Sequence, residues 1–371
     1  MRVTRVVVGM SGGVDSSVAA ALLQEQGYDV VGIMLRLWSE PASEDDDGVE
    51  RVAENKCCSL ESMADARRVA AQLGIPFYLV NVERPFQETI VDYFYEEYAA
   101  GRTPNPCLRC NRHIRFTLLL DRALALGADY LATGHYVRVD DDPTTGLRRL
   151  RRGVDDAKDQ SYVLHVLSQR QLRHALFPLG AYTKPQVREL AAARGLPVAS
   201  KAESQELCFV AANDYRGFMR RYAAATGRAA SAPGPIYDQA GNEVGRHEGL
   251  AAYTVGQRKG LGIAAREPLH VLQLDAARNA LVVGPAAALE RATFALHGTT
   301  YQSGQVPDEP FDALIKVRYK APAVAGRVAP LGDGRAEVTL AQPQRAITPG
   351  QAAVFYDVAT GEQVLGGGLI E

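Results

Sequence analysis

Six consecutive residues, Ser11, Gly12, Gly13, Val14, Asp15 and Ser16, follow an apolar run at 6–10 and precede an alanine-rich helical stretch at 18–26. A strand that ends in paired glycines and turns into a helix leaves backbone N–H groups unsatisfied at the helix N-terminus, where partial positive charge gathers. The glycines admit a ligand close to the backbone, and the hydroxyls of Ser11, Ser16 and Ser17 add donors, so the pattern predicts a phosphate cradle. The Gly-Lys-Ser/Thr ending of a Walker loop is absent. The plain alternative is a glycine turn between strand and helix, against which six residues and their context all argue.

The first two hundred residues continue the same alternation. Residues 6–10, 29–37, 77–82 and 130–133 read as strands, and 18–26, 62–73 and 116–126 as helices with one apolar face, in the manner of a parallel α/β sheet. Gly27, Gly74 and Gly127 each follow a helix where a left-handed cap is wanted. A further helix over 182–195 has Thr183 as N-cap and Pro185 in its first turn. In such sheets ligands bind at the carboxyl ends of the strands, where the 9–16 loop, Met34 and the Gly134-His135 pair would emerge together. Residues 41–55 read as an acidic surface loop, and a turn at 143–146 suggests a hairpin arm.

With 371 residues the chain is too long for one ordinary core. The pattern loosens after Asn213, and from about Leu289 five short alternating strands suggest a small β-barrel. The expected division is 1–212, 213–288 and 289–371. A net charge of −2 gives no global signal for nucleic acid, so any basic surface must be local, as at the arginine clusters of 148–152, 216–228 and 316–320; ordinary solvated arginine is the plainer reading of each. Neither a leader sequence nor a bilayer-length apolar run is apparent, so the expected compartment is the cytoplasm and the five cysteines are expected to be thiols, catalytic groups or metal ligands.

Cys107 and Cys110 form a Cys-x-x-Cys pair behind two stiffening prolines, a spacing that suits a redox dithiol or a metal site equally. Cys208 follows the last α/β element and can fold back over the nucleotide site, though alone it would read as a small buried hydrophobe. Cys57 and Cys58 open the second helix, where thiol pKa is lowered, but nothing ties them to a nucleotide and packing is the preferred reading.

The Ser11 to Ser16 loop resembles the pyrophosphate loop of the ATP pyrophosphatases that adenylate a carbonyl oxygen. Taken with 57–59, 103–116, 132–136, 158–162, 204–209, 253–261 and 318–319, the chain resembles the bacterial tRNA-specific 2-thiouridylases, the MnmA family, over essentially its whole length. The resemblance implies an N-terminal adenine-nucleotide α-hydrolase-like domain, a small central domain and a C-terminal β-barrel. It implies replacement of the wobble uridine's 2-position oxygen by sulfur in tRNAs for Lys, Glu and Gln, with ATP and Mg²⁺, and with a sulfur donor such as a cysteine desulfurase or relay carrier.

By the same resemblance Gly9, Met10, Ser11, Gly12, Gly13, Val14, Asp15 and Ser16 hold the phosphates, Asp15 orients Mg²⁺, and Met34 and Gly134 meet adenine and ribose. Cys208 carries a persulfide and Cys110 is the nucleophile that resolves it. Asn105, Pro106 and Cys107 meet the target base, while Lys158, Asp159, Gln160, Arg318, Tyr319, His135 and Gln351 match tRNA contacts. Without the resemblance His135 would read as a core histidine or a general base. Many family members carry Asp where this chain has Cys107, and the three thiols Cys107, Cys110 and Cys208 match a 4Fe-4S ligand set with one open iron. A persulfide relay and a cluster therefore both stand as expectations. Outside this family, another ATP pyrophosphatase would share the loop but need no cysteines, and a non-catalytic tRNA-binding or iron–sulfur protein would need no loop.

Overall fold

The structure is a computed structural model and describes residues 3–40, 43–44, 50–51, 59–202, 207–210, 214–229 and 231–371. The expectations for Cys57, Cys58 and residues 203–206, and for most of 41–55, lie outside the described residues. Contacts divide the chain into two units, Met1–Val91 with Cys107–Tyr215, and Asp92–Pro106 with Arg216–Glu371.

The first unit is built on a parallel sheet of β1 (Arg5–Gly9), β2 (Asp29–Arg36), β5 (Phe77–Asn81), β6 (Tyr130–Ala132) and β9 (Ala175–Leu176), in the order β5-β2-β1-β6-β9. Two short antiparallel pairs accompany it, β3 (Ser43–Glu44) with β4 (Glu50–Arg51) and β7 (Val137–Asp141) with β8 (Arg148–Arg152). Val6, Val7 and Val8 are buried because β1 is the central strand and is covered on both faces, which is why its sequence is an unbroken apolar run. Helix α1 (Val14–Glu25) buries its Val, Ala and Leu side chains against that sheet. Helix α2 (Leu60–Leu73) is capped by Ser59, which accepts from the Ser62 amide, and closed by Gly74 in the left-handed conformation.

The α/β sheet and its strand-to-helix alternation are as the sequence predicts. The chain runs from β1 outward to β2 and β5 and returns to the other side of β1 as β6, so the order reverses between β1 and β6. At such a switch point a crevice opens beyond the carboxyl ends of the two strands. Gly9 and Thr133 leave the sheet there.

The hairpin arm predicted from the turn at 143–146 is present as β7 and β8, and it accounts for one arginine cluster. Arg148 pairs with Asp141, Arg149 and Arg151 with Asp140, and Arg152 with Asp159. Arg149 also reaches Asp142 and Arg152 also reaches Asp156, so the four arginines of the cluster are matched by carboxylates.

The second unit contains the helix Tyr215–Thr226, whose Phe218 packs edge-on against Phe94 at 5.9 Å, while Tyr222 donates to Asp92 at 2.7 Å. A four-stranded sheet follows, of β10 (Gly234–Tyr237), β11 (Glu243–His247), β12 (His270–Asp275) and β13 (Ala280–Gly284), packed around Ile236, Val271 and Leu281. The C-terminal strands β14 (Glu290–Tyr301), β15 (Phe311–Lys316), β16 (Val324–Gly332), β17 (Arg335–Arg345), β18 (Ala352–Tyr356) and β19 (Val364–Ile370) close into a six-stranded barrel. Closure removes sheet edges, and the alternating buried positions of β17 line the interior.

Candidate functional site

The loop between β1 and α1 is shaped by what it touches. Gly12 has φ 69, and a Cβ there would lie 2.1 Å from the Ser62 carbonyl oxygen, so only glycine fits against the start of α2. Gly13 is the N-cap of α1 and supplies no side-chain acceptor to its first turn. The first turn of α1 is therefore left without a side-chain cap, and partial positive charge gathers at this helix start. The Ser11 amide donates to Ser16 Oγ at 3.1 Å, and the Ser17 hydroxyl donates to the Gly13 carbonyl at 2.8 Å. Ser17 is fully buried and braces the turn, whereas Ser11 is exposed at its mouth.

Asp15 stands in the first turn of α1, and its carboxylate is already engaged. Lys184 Nζ lies 2.6 and 2.8 Å from its two oxygens, and the Tyr136 hydroxyl donates to Oδ1 at 2.7 Å. Lys184 begins the helix Lys184–Ala193, fixed by a capping box between Thr183 and Gln186, and its own amide donates to Asp155 at 2.8 Å. Tyr136 is held through its amide by Gln160 Oε1 at 3.0 Å. In the sequence the Thr183 cap and Pro185 mark where this helix starts but not what its first side chain reaches, and nothing there marks Tyr136.

Met34 lies near the end of β2 with its side chain 2% exposed in the core. A Cβ on Gly134 would meet the backbone of Asp15 and Ser16 at 2.8 to 2.9 Å. Gly134 therefore seats the β6 loop directly on the start of α1.

Cys107 lies in the short helix Pro106–Arg109 and is exposed, and Cys110 is buried at the head of the ten-residue π-helix Cys110–Leu119. Cys208 is half-buried. Its neighbour Phe209 is 1% exposed and meets the Phe86 ring edge-on at 5.9 Å, which anchors the 207–210 segment. On the π-helix, Asn111 donates to the Val163 carbonyl at 3.2 Å and accepts from Arg115 at 3.0 Å. Arg115 Nη1 in turn lies 3.5 Å from His135 Nε2, and His135 Nδ1 lies 2.7 Å from Thr133 Oγ1. Burial, with the Arg115 charge adding to it, pushes the His135 pKa down to about 3. His135 is thus a neutral imidazole packed near Phe116 and Phe177.

Among the described residues no group of three or more His, Cys, Asp or Glu side chains is gathered to hold a metal ion. Cys107, Cys110 and Cys208 are all described, and they are not gathered into the three-thiolate ligand set that a 4Fe-4S cluster needs. Mg²⁺ requires less of the protein, since it keeps waters and substrate phosphates as ligands; the Asp15 carboxylate is the hard oxygen donor that would hold it.

The residues matched to tRNA contacts are spread over both units. Lys158 is half-buried. Asp159 is interior, its carboxylate accepting from the amides of Gly153 and Ser161, from the Ser161 hydroxyl and from Arg152. In the second unit Asn105 is half-buried and Pro106 buried. Gln351 donates to the Thr103 carbonyl at 2.9 Å, just ahead of Asn105. Arg318 donates to the carbonyls of Arg345 and Ala346, and exposed Tyr319 lies beneath Lys316 at 5.8 Å.

Family profiles described as tRNA methyl transferase HUP domain, tRNA methyl transferase PRC-barrel domain and aminomethyltransferase beta-barrel domain match residues 4–212, 225–285 and 291–370. The chain is 52% identical to the tRNA-specific 2-thiouridylase MnmA of Roseiflexus castenholzii over 380 residues, covering 99% of each. It is 52% identical to the protein of that name from Chloroflexus aurantiacus, covering 98% of each. It is 51% identical to that from Magnetococcus marinus, covering 99% of this chain and 98% of the other. No described helix is long and apolar enough to cross a membrane.

Proposed function

The chain belongs to the tRNA-specific 2-thiouridylase (MnmA) family, and from that premise we propose that it uses ATP to exchange the 2-position oxygen of the wobble uridine of tRNA for sulfur. The observation that carries the reading is the uncapped start of α1 beside the Asp15 carboxylate, in the same unit as Cys110 and Cys208.

A carbonyl oxygen is a poor leaving group. The uridine oxygen therefore attacks the α-phosphorus of ATP, the bond to the β-phosphate oxygen breaks with its electron pair, and pyrophosphate departs. The α1 N-terminus and the loop would hold the phosphates, and the Asp15 carboxylate would hold Mg²⁺, which when bound would neutralise charge on the departing pyrophosphate. The terminal sulfur of a Cys208 persulfide then attacks the activated carbon and AMP leaves. Attack of the Cys110 thiolate on the Cys208 sulfur releases the thiolated base and joins the two cysteines in a disulfide, which a dithiol reductant reopens. A half-buried Cys208 suits a group that must receive sulfur from outside, and a buried Cys110 suits one that acts only after it.

Asn105, Pro106 and Cys107 take the target base, with Lys158, Gln160, Arg318, Tyr319 and Gln351 on the surrounding tRNA. His135 and Asp159, both buried, act by shaping that surface. The substrates are the tRNAs for Lys, Glu and Gln, and the sulfur donor is a cysteine desulfurase or a relay carrier.

Pyrophosphate release in the presence and absence of tRNA tests this reading against the other ATP pyrophosphatases. Release is expected only with tRNA that carries uridine at position 34. Equal release without tRNA, or with cytidine at that position, contradicts it.

A further inference from the structure

The phosphate loop has a cation that its sequence lacks. No Lys or Arg occurs between Arg5 and Arg36, and Arg5 stands at the opposite end of β1 paired with Asp29, so the loop and helix α1 bring no positive side chain to a site meant for a triphosphate. The loop does bring a negative one, Asp15, which by itself repels phosphate. Lys184 meets Asp15 across 169 residues of sequence, with its side chain 8% exposed and its ammonium against both carboxylate oxygens.

We propose that Lys184 is a pyrophosphate-binding residue, the counterpart in space of the lysine that a Walker loop carries in sequence. Without nucleotide it neutralises Asp15. When the carboxylate turns to Mg²⁺, the ammonium stays beside the loop and meets the β- and γ-phosphate oxygens. There it offsets the negative charge that gathers on pyrophosphate as the bond to the α-phosphorus breaks. No proton moves in this step, since the electron pair leaves with pyrophosphate and the ammonium stays charged.

Two features fit this role better than a fixed internal ion pair. The backbone of Lys184 is clamped at N1 of its helix by the Thr183 and Gln186 capping box and by Asp155, so the long stem pivots from a rigid point. Asp15 itself is 34% exposed at the crevice, so the pair sits where a ligand reaches it. Tyr136, whose hydroxyl donates to Asp15 and whose ring centroid lies 5.7 Å from Nζ, flanks both groups.

The inference rests on the ATP-activating reading of the loop, and the test separates the two. Equilibrium binding of Mg-ATP to the full-length protein without tRNA is measured for the wild type, Lys184→Met, Lys184→Arg, Asp15→Asn and the Asp15→Asn/Lys184→Met double variant. Pyrophosphate release in a single turnover with tRNA is followed alongside. Lys184→Met is expected to weaken ATP by about tenfold or more and to slow release further, with Lys184→Arg intermediate. If loss of the ammonium leaves Asp15 uncompensated and the single variant unfolds, the double variant decides. A phosphate-binding lysine makes it about tenfold weaker for ATP than Asp15→Asn alone. A lysine that only neutralises Asp15 makes the two equal, which overturns the proposal, as does wild-type binding and release in Lys184→Met. A wild type that fails to bind ATP condemns the reading of the loop instead.

Discussion

Gly134 lies so close to Asp15 that a Cβ at position 134 would sit 2.8 Å from the Asp15 carbonyl carbon and 2.9 Å from the Ser16 nitrogen. These atoms, and the Asp15 Cβ also met at 2.9 Å, are fixed by the backbone at the start of α1 and cannot rotate away. Gly134→Ala is therefore expected to displace the phosphate loop and to cost about 1–3 kcal/mol of stability, as overpacking does. Calorimetric ATP titration and urea unfolding measure both effects. An Ala variant with wild-type ATP affinity would remove the close approach from the account.

The two cysteines are expected to fail at different points from the loop. Cys110→Ser and Cys208→Ser should each abolish thiolated product while leaving tRNA-dependent pyrophosphate release in a single turnover within about threefold of wild type, since neither thiol takes part in adenylation. Quenched-flow analysis of pyrophosphate and of digested nucleosides reads the two steps separately. Thiolation by either variant would exclude that cysteine from sulfur transfer.

Gln351 offers a test within the second unit. Its amide donates to the Thr103 carbonyl at 2.9 Å, and the Thr103 amide donates to the Pro349 carbonyl at 2.8 Å, so the approach to Asn105 is tied to the chain around Gln351. Gln351→Leu keeps the bulk and removes the donor. A hydrogen bond of about 1 kcal/mol predicts a rise of about fivefold in KM for tRNA. ATP affinity should be unchanged, and a parallel loss of ATP affinity would contradict a role confined to tRNA.

His135 gives the protein a pH signature. Its imidazole is buried beside Arg115, with its pKa pushed down to about 3 from an ordinary 6.5. The unfolded chain therefore binds a proton that the folded one refuses. The stability this contributes is full above about pH 6.5 and is lost as pH falls toward 3, by about 2 kcal/mol at pH 5. Urea unfolding at pH 7.5 and pH 5 should show His135→Gln losing less stability than wild type over that interval. An equal loss in both proteins would show that His135 is not held neutral.

How much of this was legible in the sequence follows from how local each feature is. The loop of Ser11 to Ser16 could be read because strand, glycines and helix start are adjacent, and the apolar run of Val6 to Val8 marks a strand covered on both faces. Lys184 could not, because its partner is 169 residues away and a lysine at a helix start looks like any solvated charge. The π-helix of Cys110–Leu119 was read only from residue 116 onward, since a wider turn leaves no periodic mark in Cys-Asn-Arg-His-Ile-Arg. Strand β14 was missed for a different reason. Its buried positions, Phe294 and Leu296, are few among charged and small residues, and its pairing with β17 and β19 is set by barrel closure.

The most direct measurement of the central claim is anaerobic reconstitution of the full-length protein with ATP, Mg²⁺, tRNA and a persulfide donor, followed by nucleoside analysis. The account predicts 2-thiouridine at the wobble position alone, formed in step with one AMP and one pyrophosphate per base. Pyrophosphate release with no sulfur in the nucleoside, or sulfur at another position of the tRNA, would contradict it.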